Sequence, residues 1–125
     1  MKIFVIDDSL LERKLIIGLL KKGGITQETL EASDGEEALK ILGLNYKEIC
    51  CILLDWQMPK VNGLEFMQGV LKVEATSAIP IVMVTASGSD ECKKQAYQVN
   101  PKLAGYVVKP INPQSLIDSV LPHLK

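Results

Sequence analysis

The chain has no apolar stretch long enough to cross a membrane, no cluster of basic residues and no paired-cysteine motif. The first absence argues against a membrane span. The second, with a net charge of −1, leaves no footprint for nucleic acid or an anionic lipid surface. Aromatic residues make up only 5% of the sequence, so the core must be built from Ile, Leu and Val. The three cysteines are Cys50, Cys51 and Cys92, and their spacing suits neither a CxxC redox pair nor a zinc knuckle. Cys50 and Cys51 are adjacent in a strand-like run and are expected to point to opposite faces as small buried residues in a reducing compartment. The only histidine, His123, reads as a helix-end residue. The N-terminus opens directly on a strand-like run, so no signal peptide is expected and the protein is expected to be cytoplasmic.

What is present is alternation. The length of 125 residues suits one domain, 1–125, and nothing suggests a repeat, a linker or a second domain. Continuous apolar runs without alternation are typical of parallel strands covered on both faces, and strands are expected near 2–7, 28–32, 49–55, 80–85 and 104–108. Helical segments with start signals lie between them. Ser9-Leu10-Leu11-Glu12 reads as a capping box, Leu11, Leu15 and Leu19 repeat on one face, and Gly23-Gly24 ends that helix. Asp34-Gly35-Glu36-Glu37 starts a second helix, with Ala38, Leu39 and Leu42 apolar. Asn62-Gly63-Leu64-Glu65 starts a third, with Phe66, Met67, Val70 and Leu71 inward. A weaker fourth runs from Ser89 or Asp90 to about Gln98. Asn112-Pro113 starts a fifth, whose stripe is Leu116, Ile117, Val120 and Leu121, with Pro122 near its end. The pattern predicts an α/β fold: a doubly wound, five-stranded parallel sheet with five helices.

In such sheets, ligands bind beyond the carboxyl ends of the strands, where the winding reverses. Asp7 and Asp8 follow the first run, Asp55 the third, Thr85 the fourth and Lys109 the fifth. Each has an ordinary reading by itself: a helix-cap pair, a turn residue before Met58-Pro59, the end of a strand, a surface lysine. Together, at the ends of different strands, they gather at one edge. Crowded carboxylates repel one another and raise their own pKa values, which a divalent cation relieves. Magnesium takes hard oxygen ligands and keeps room for water and phosphate oxygens. Asp55 can serve both as ligand and as nucleophile toward phosphorus, while the Thr85 hydroxyl and the Lys109 ammonium suit the oxygens of a transferring phosphoryl group.

Taken jointly, Val5-Ile6-Asp7-Asp8-Ser9, Leu53-Leu54-Asp55-Trp56-Gln57-Met58-Pro59, Asn62-Gly63, Val84-Thr85-Ala86 and Tyr106-Val107-Val108-Lys109-Pro110 resemble the response-regulator receiver domain, of the CheY-like type, over the whole chain. The resemblance implies strand order 2-1-3-4-5, the flavodoxin-like winding. It implies a phosphorylation-activated switch of a two-component system rather than an enzyme, with Asp55 accepting a phosphoryl group from a sensor histidine kinase or phosphotransfer protein. Mg²⁺ would be held by Asp7, Asp8, Asp55 and the backbone carbonyl of Gln57. Thr85 and Lys109 would contact the phosphoryl group, and Tyr106 would be the aromatic switch residue beside Thr85. The Lys109–Pro110 bond would be cis. The output would be the surface of the fourth helix, fifth strand and fifth helix, docking a downstream effector protein, with no direct nucleic-acid or membrane binding. Gln57 and Ser87 would flank the attacking water and tune the phosphoryl lifetime, and Trp56 should sense the site by fluorescence. Tyr97-Gln98-Val99-Asn100-Pro101-Lys102-Leu103 departs from the small-residue pattern common before the fifth strand, which leaves the end of the fourth helix open.

Other readings compete. The chain can be a stand-alone switch or the receiver portion of a larger regulator or hybrid kinase. An aspartate-nucleophile phosphatase typically carries a second aspartate two residues after the nucleophile, where this chain has Gln57. A flavin-binding relative calls for a hydroxyl-rich phosphate loop, and Asp7-Asp8-Ser9 would repel phosphate there. A degenerate receiver that acts only as an interaction module does not need the complete acidic set, Thr85 and Lys109.

Overall fold

In the computed structural model, which describes residues 1–58 and 60–124, the apolar runs become one parallel sheet in the order β2-β1-β3-β4-β5. The strands are β1 (Lys2–Ile6), β2 (Glu28–Ala32), β3 (Ile49–Leu54), β4 (Ile81–Thr85) and β5 (Gly105–Val108). The helices are α1 (Leu10–Lys22), α2 (Gly35–Asn45), α3 (Gly63–Lys72), α4 (Asp90–Val99) and α5 (Pro113–Val120). The doubly wound α/β fold and its strand order are therefore as the sequence pattern and the resemblance imply.

Successive side chains of a strand point to opposite faces, and the sheet has a core on each. Phe4, Ile6, Ile52, Leu54, Ile81 and Met83 pack on one face against Ala38 and Leu42 of α2, Phe66, Met67 and Val70 of α3, and Ala96 of α4. Ile3, Val5, Cys51, Leu53, Val82, Val84 and Val107 pack on the other face, against α1 and α5. Each such aliphatic or aromatic side chain contributes roughly 1.5–3 kcal/mol by leaving water.

Three expectations change. Cys50 and Cys51 both belong to the core on the α1 and α5 face. The pairing of β1 with β3 explains this: Lys2 lies opposite Ile49 but Ile3 lies opposite Cys51, so Cys50 occupies a bulge that breaks the alternation. Burial pushes the Cys51 thiol up to about 12, with Cys50 adding to the shift, so it is an inert packing residue. The Leu11, Leu15 and Leu19 stripe does not anchor α1. Ile16, Ile17 and Leu20 are buried instead, while Leu11 and Leu15 are exposed and Leu19 packs only at the edge of the core. Leu121 falls in a short 3₁₀ turn, Leu121–His123, and is half exposed; the buried stripe of α5 is Leu116, Ile117 and Val120.

The start signals hold with one variation. Asp34, Asn62, Ser89 and Asn112 each accept a backbone N–H three residues on, and Asn62 with Glu65 forms a complete capping box. Ser9 accepts from the Glu12 N–H at 3.2 Å, but the Glu12 carboxylate lies 3.9 Å from the Lys109 ammonium rather than returning to the cap. The unusual segment before β5 closes around Asn100, which is buried. Its N–H bonds the Ala96 carbonyl, and its side chain accepts from Lys102 N and reaches Met67 Sδ at 3.7 Å.

Candidate functional site

Strand pairing decides which polar residues meet. Ile6 lies opposite Leu54, so the next residues, Asp7 and Asp55, emerge side by side; Asp55 N–H donates to the Ile6 carbonyl at 2.9 Å. Thr85 lies opposite Val108, and Lys109 N–H donates to the Thr85 carbonyl at 2.9 Å. β1 and β3 are the central neighbours between which the winding reverses, with α1 on one face and α2 and α3 on the other.

The side chains converge at that edge. One carboxylate oxygen from each of Asp7, Asp8 and Asp55 lies within 4.8 Å of the others. Asp7 and Asp55 are buried, at 1% and 7% exposure, while Asp8 is exposed. Lys109 Nζ sits 2.7 Å from Asp7 Oδ2 and 3.9 Å from Asp55 Oδ2. Asp55 Oδ1 accepts the Trp56 N–H at 2.8 Å, which leaves Oδ2 as its more available oxygen. A cleft of about 410 Å³, lined by Asp8, Trp56, Gln57, Met58 and Asn62, opens beside these groups. Trp56 is partly buried, Gln57 is exposed, and Pro59 lies outside the described residues.

The electrostatics follow from this crowding. Burial first, and then the charge of Asp7, push the Asp55 carboxyl up to about 6, against the pull of Lys109 and the Trp56 N–H. Burial also opposes the charge on Lys109. The hydrogen bond to Asp7 and the charges of Asp55, Asp7 and Glu12 outweigh it, and its pKa is raised. The ammonium therefore partly neutralises the acidic set. Three converging carboxylates of hard oxygen are the donor chemistry of a divalent cation such as Mg²⁺, so the residues fit the metal that the motifs imply.

Gly63 explains why the Asn62-Gly63 pair belongs to the site. Its N–H donates to the Trp56 carbonyl at 2.8 Å, and a Cβ there would fall 2.4 Å from the Asp55 carbonyl oxygen. Only glycine lets α3 begin this close to the end of β3. On the other side, Thr85 Oγ1 accepts the Ser87 N–H at 3.2 Å, and the Tyr106 hydroxyl donates to the Ser87 carbonyl. Burial, foremost, holds the Tyr106 phenol up at about 12. The Lys109–Pro110 bond is cis.

Sequence reading passed over Arg13 and Glu31, and took Glu12 only as half of a capping box. Arg13 donates to the Asp7 backbone carbonyl at 2.6 Å and to Glu31 Oε1 at 3.0 Å. Charged residues on an exposed-looking helix turn carry no signal of this. It becomes visible only once β2 lies beside β1, with Glu31 opposite Val5.

Comparisons with known proteins agree with this geometry. The family model described as response regulator receiver domain matches residues 3–121. A chemotaxis protein CheY homolog of Campylobacter jejuni is 36% identical over 119 residues, covering 93% of this chain and 86% of that protein. The phosphate regulon transcriptional regulatory protein PhoB of Pseudomonas aeruginosa is 32% identical over 115 residues, covering 92% of this chain but 48% of that protein. The solved structure of Vibrio cholerae chemotaxis protein CheY4 is 31% identical, covers 98% of both chains and superposes with a TM-score of 0.83. A match that runs from Ile3 to Leu121 and takes in every strand end of the acidic pocket shows that the chain belongs to the response regulator receiver domain family of two-component signalling.

Proposed function

We propose that the chain is a phosphorylation-driven signalling switch in which Asp55 accepts a phosphoryl group from the phosphohistidine of a sensor kinase or phosphotransfer protein. The observation that carries this reading is the Asp55 carboxylate itself. It is buried at the sheet edge, gathered with Asp7 and Asp8 and 3.9 Å from Lys109. With a pKa of about 6, it is mostly ionised near pH 7 and able to attack. Asp55 Oδ2 forms a bond to phosphorus while the donor's nitrogen–phosphorus bond breaks, and the imidazole leaves with that electron pair. Asp7, Asp8, Asp55 and the Gln57 carbonyl would hold Mg²⁺, which supplies charge neutralisation to the phosphoryl oxygens when bound. Lys109 and the Thr85 hydroxyl would bind the remaining oxygens, a positioning role and not a turnover chemistry on a small molecule.

The β4–α4 loop links this event to a surface. Thr85 and Tyr106 both hold Ser87, one at its N–H and the other at its carbonyl. Drawing the Thr85 hydroxyl to a phosphoryl oxygen releases the Ser87 N–H, and the loop that anchors Tyr106 can then shift. Tyr106 lies on β5 with Lys93 of α4 over its ring at 5.9 Å, so its movement reshapes the α4–β5–α5 face. That face would dock a downstream effector protein. The similarity to about half of a longer transcriptional regulator supports a second reading of the same chemistry, in which the chain is the receiver portion of a larger protein.

Intact-mass measurement after incubation with Mg²⁺ and acetyl phosphate tests the reading. The expected result is one added phosphoryl group, lost with EDTA and in Asp55→Asn. A phosphoryl group that persists in Asp55→Asn, or none on the wild type, overturns it. Lys109→Ala should keep part of the phosphorylation and lose the output.

A further inference from the structure

We propose that Arg13 is a positioning residue for the divalent-cation site, acting through the Asp7 backbone and held in place by Glu31. The inference rests on the reading of the acidic pocket given above. Asp7 is fixed at four atoms: its N–H donates to the Ala32 carbonyl at 3.1 Å, Oδ1 accepts Ser9 N–H at 2.9 Å, Oδ2 accepts Lys109 at 2.7 Å, and its carbonyl accepts Arg13 Nη1 at 2.6 Å. The last of these fixes the plane of the peptide that leads into Asp8. Asp8 is exposed, and no hydrogen bond or ion pair to its side chain occurs among the described residues. Its placement therefore depends on its backbone, which that peptide plane orients.

Arg13 is suited to this role. Its side chain is only 12% exposed, and its planar fork spans two acceptors at once. Glu31 supplies the second acceptor from β2 and is itself tied by Lys14 at 2.9 Å. Lys14 foremost, together with Arg13, holds the Glu31 carboxyl below its ordinary range despite burial, so the anchor stays charged. Groups that orient a metal ligand from outside the ligand set typically affect affinity by about 10–100-fold.

The sign of the effect separates positioning from plain charge. Arg13 is a cation beside a cation site, so removing it should tighten Mg²⁺ binding if only Coulomb repulsion counts. Positioning predicts the reverse. We expect Arg13→Ala to weaken Mg²⁺ binding about tenfold, read by Trp56 fluorescence and by calorimetry on the full chain without a phosphodonor. With acetyl phosphate, the Mg²⁺ concentration for half-maximal phosphorylation should rise in parallel, while the rate at saturating Mg²⁺ stays within about twofold. Arg13→Lys, with a point charge in place of the fork, should recover part of the affinity. Lys14→Ala breaks the other half of the Glu31 pair without touching Asp7 and should change affinity less than about twofold. Where Arg13→Ala is too unstable to titrate, Arg13→Gln repeats the test. Equal or tighter Mg²⁺ binding by either variant overturns the inference while the pocket reading stands. A wild-type chain that binds no Mg²⁺ overturns both.

Discussion

The middles and the ends of the same strands are equally buried and physically opposite. Phe4, Ile52 and Met83 are 0% exposed, and each gains by leaving water. One turn of chain further on, Asp7 and Thr85 are 1% exposed and Asp55 7%, where burial of a charged group is costly. Apolar burial needs no partner, whereas the carboxylates persist only because Lys109, the Trp56 and Ser9 N–H groups and the fold around them offset part of the cost. The strand middles hold the fold. The strand ends draw on that stability to keep reactive groups crowded, as expected where local energetics yield to function.

The largest effect should come from breaking the apolar half. Phe4→Ala should cost about 3–5 kcal/mol, read as the loss of urea-unfolding free energy. It should remove phosphorylation only by depopulating the folded state. Gly63→Ala lies at the border of the two regions. Its Cβ would meet the backbone of Asp55 and Trp56, so stability should fall by about 1–3 kcal/mol. Phosphorylation should suffer more than that loss explains, because the contact displaces Asp55, the proposed acceptor.

Asp55→Asn sharpens the contrast, since it should abolish phosphorylation while stabilising the metal-free protein. The folded-state pKa of about 6 lies above the ordinary carboxylate value of 3.8. Asp55 therefore favours the folded state most below about pH 4, and that contribution is lost as pH rises through about 6. The stability gap between Asp55→Asn and wild type in EDTA should be smallest near pH 4 and grow to about 3 kcal/mol above pH 6. Urea titrations across that range measure it, and a gap that shrinks with rising pH contradicts the assigned electrostatics. Saturating Mg²⁺ should close the gap by stabilising the wild type alone.

How much of this was legible differs between the same two regions. The strand ends could be read because an apolar run that stops at a polar or charged residue marks both a boundary and a chemistry, and four such stops recur in order, at Asp7-Asp8, Asp55, Thr85 and Lys109. The orientation of α1 could not. Leu11, Leu15 and Leu19 have the same helical spacing as Ile16 and Leu20, and the choice is made by packing against the sheet and the Ile117 face of α5. The bulge at Cys50 was hidden because it arises in the pairing of two strands and not in either one. Arg13 and Glu31 were hidden for a related reason: they are 18 residues apart and meet only through the parallel register of β1 and β2.

The smallest predicted effect tests the corrected face of α1. Leu11 is 81% exposed, and Leu15 is 50% exposed on the same outward side. A leucine in water contributes no burial to the fold, so Leu11→Ser should change the urea-unfolding free energy by no more than about 0.5 kcal/mol. Ile16, five residues along and 1% exposed, should lose about 2–5 kcal/mol as Ile16→Ala. Acetyl phosphate should load Leu11→Ser as readily as the wild type, because a small donor reaches Asp55 without touching that helix face. Equal costs at the two positions would mean that both sides of α1 are covered in solution, and the contrast between buried and exposed apolar residues would have to be redrawn around that cover.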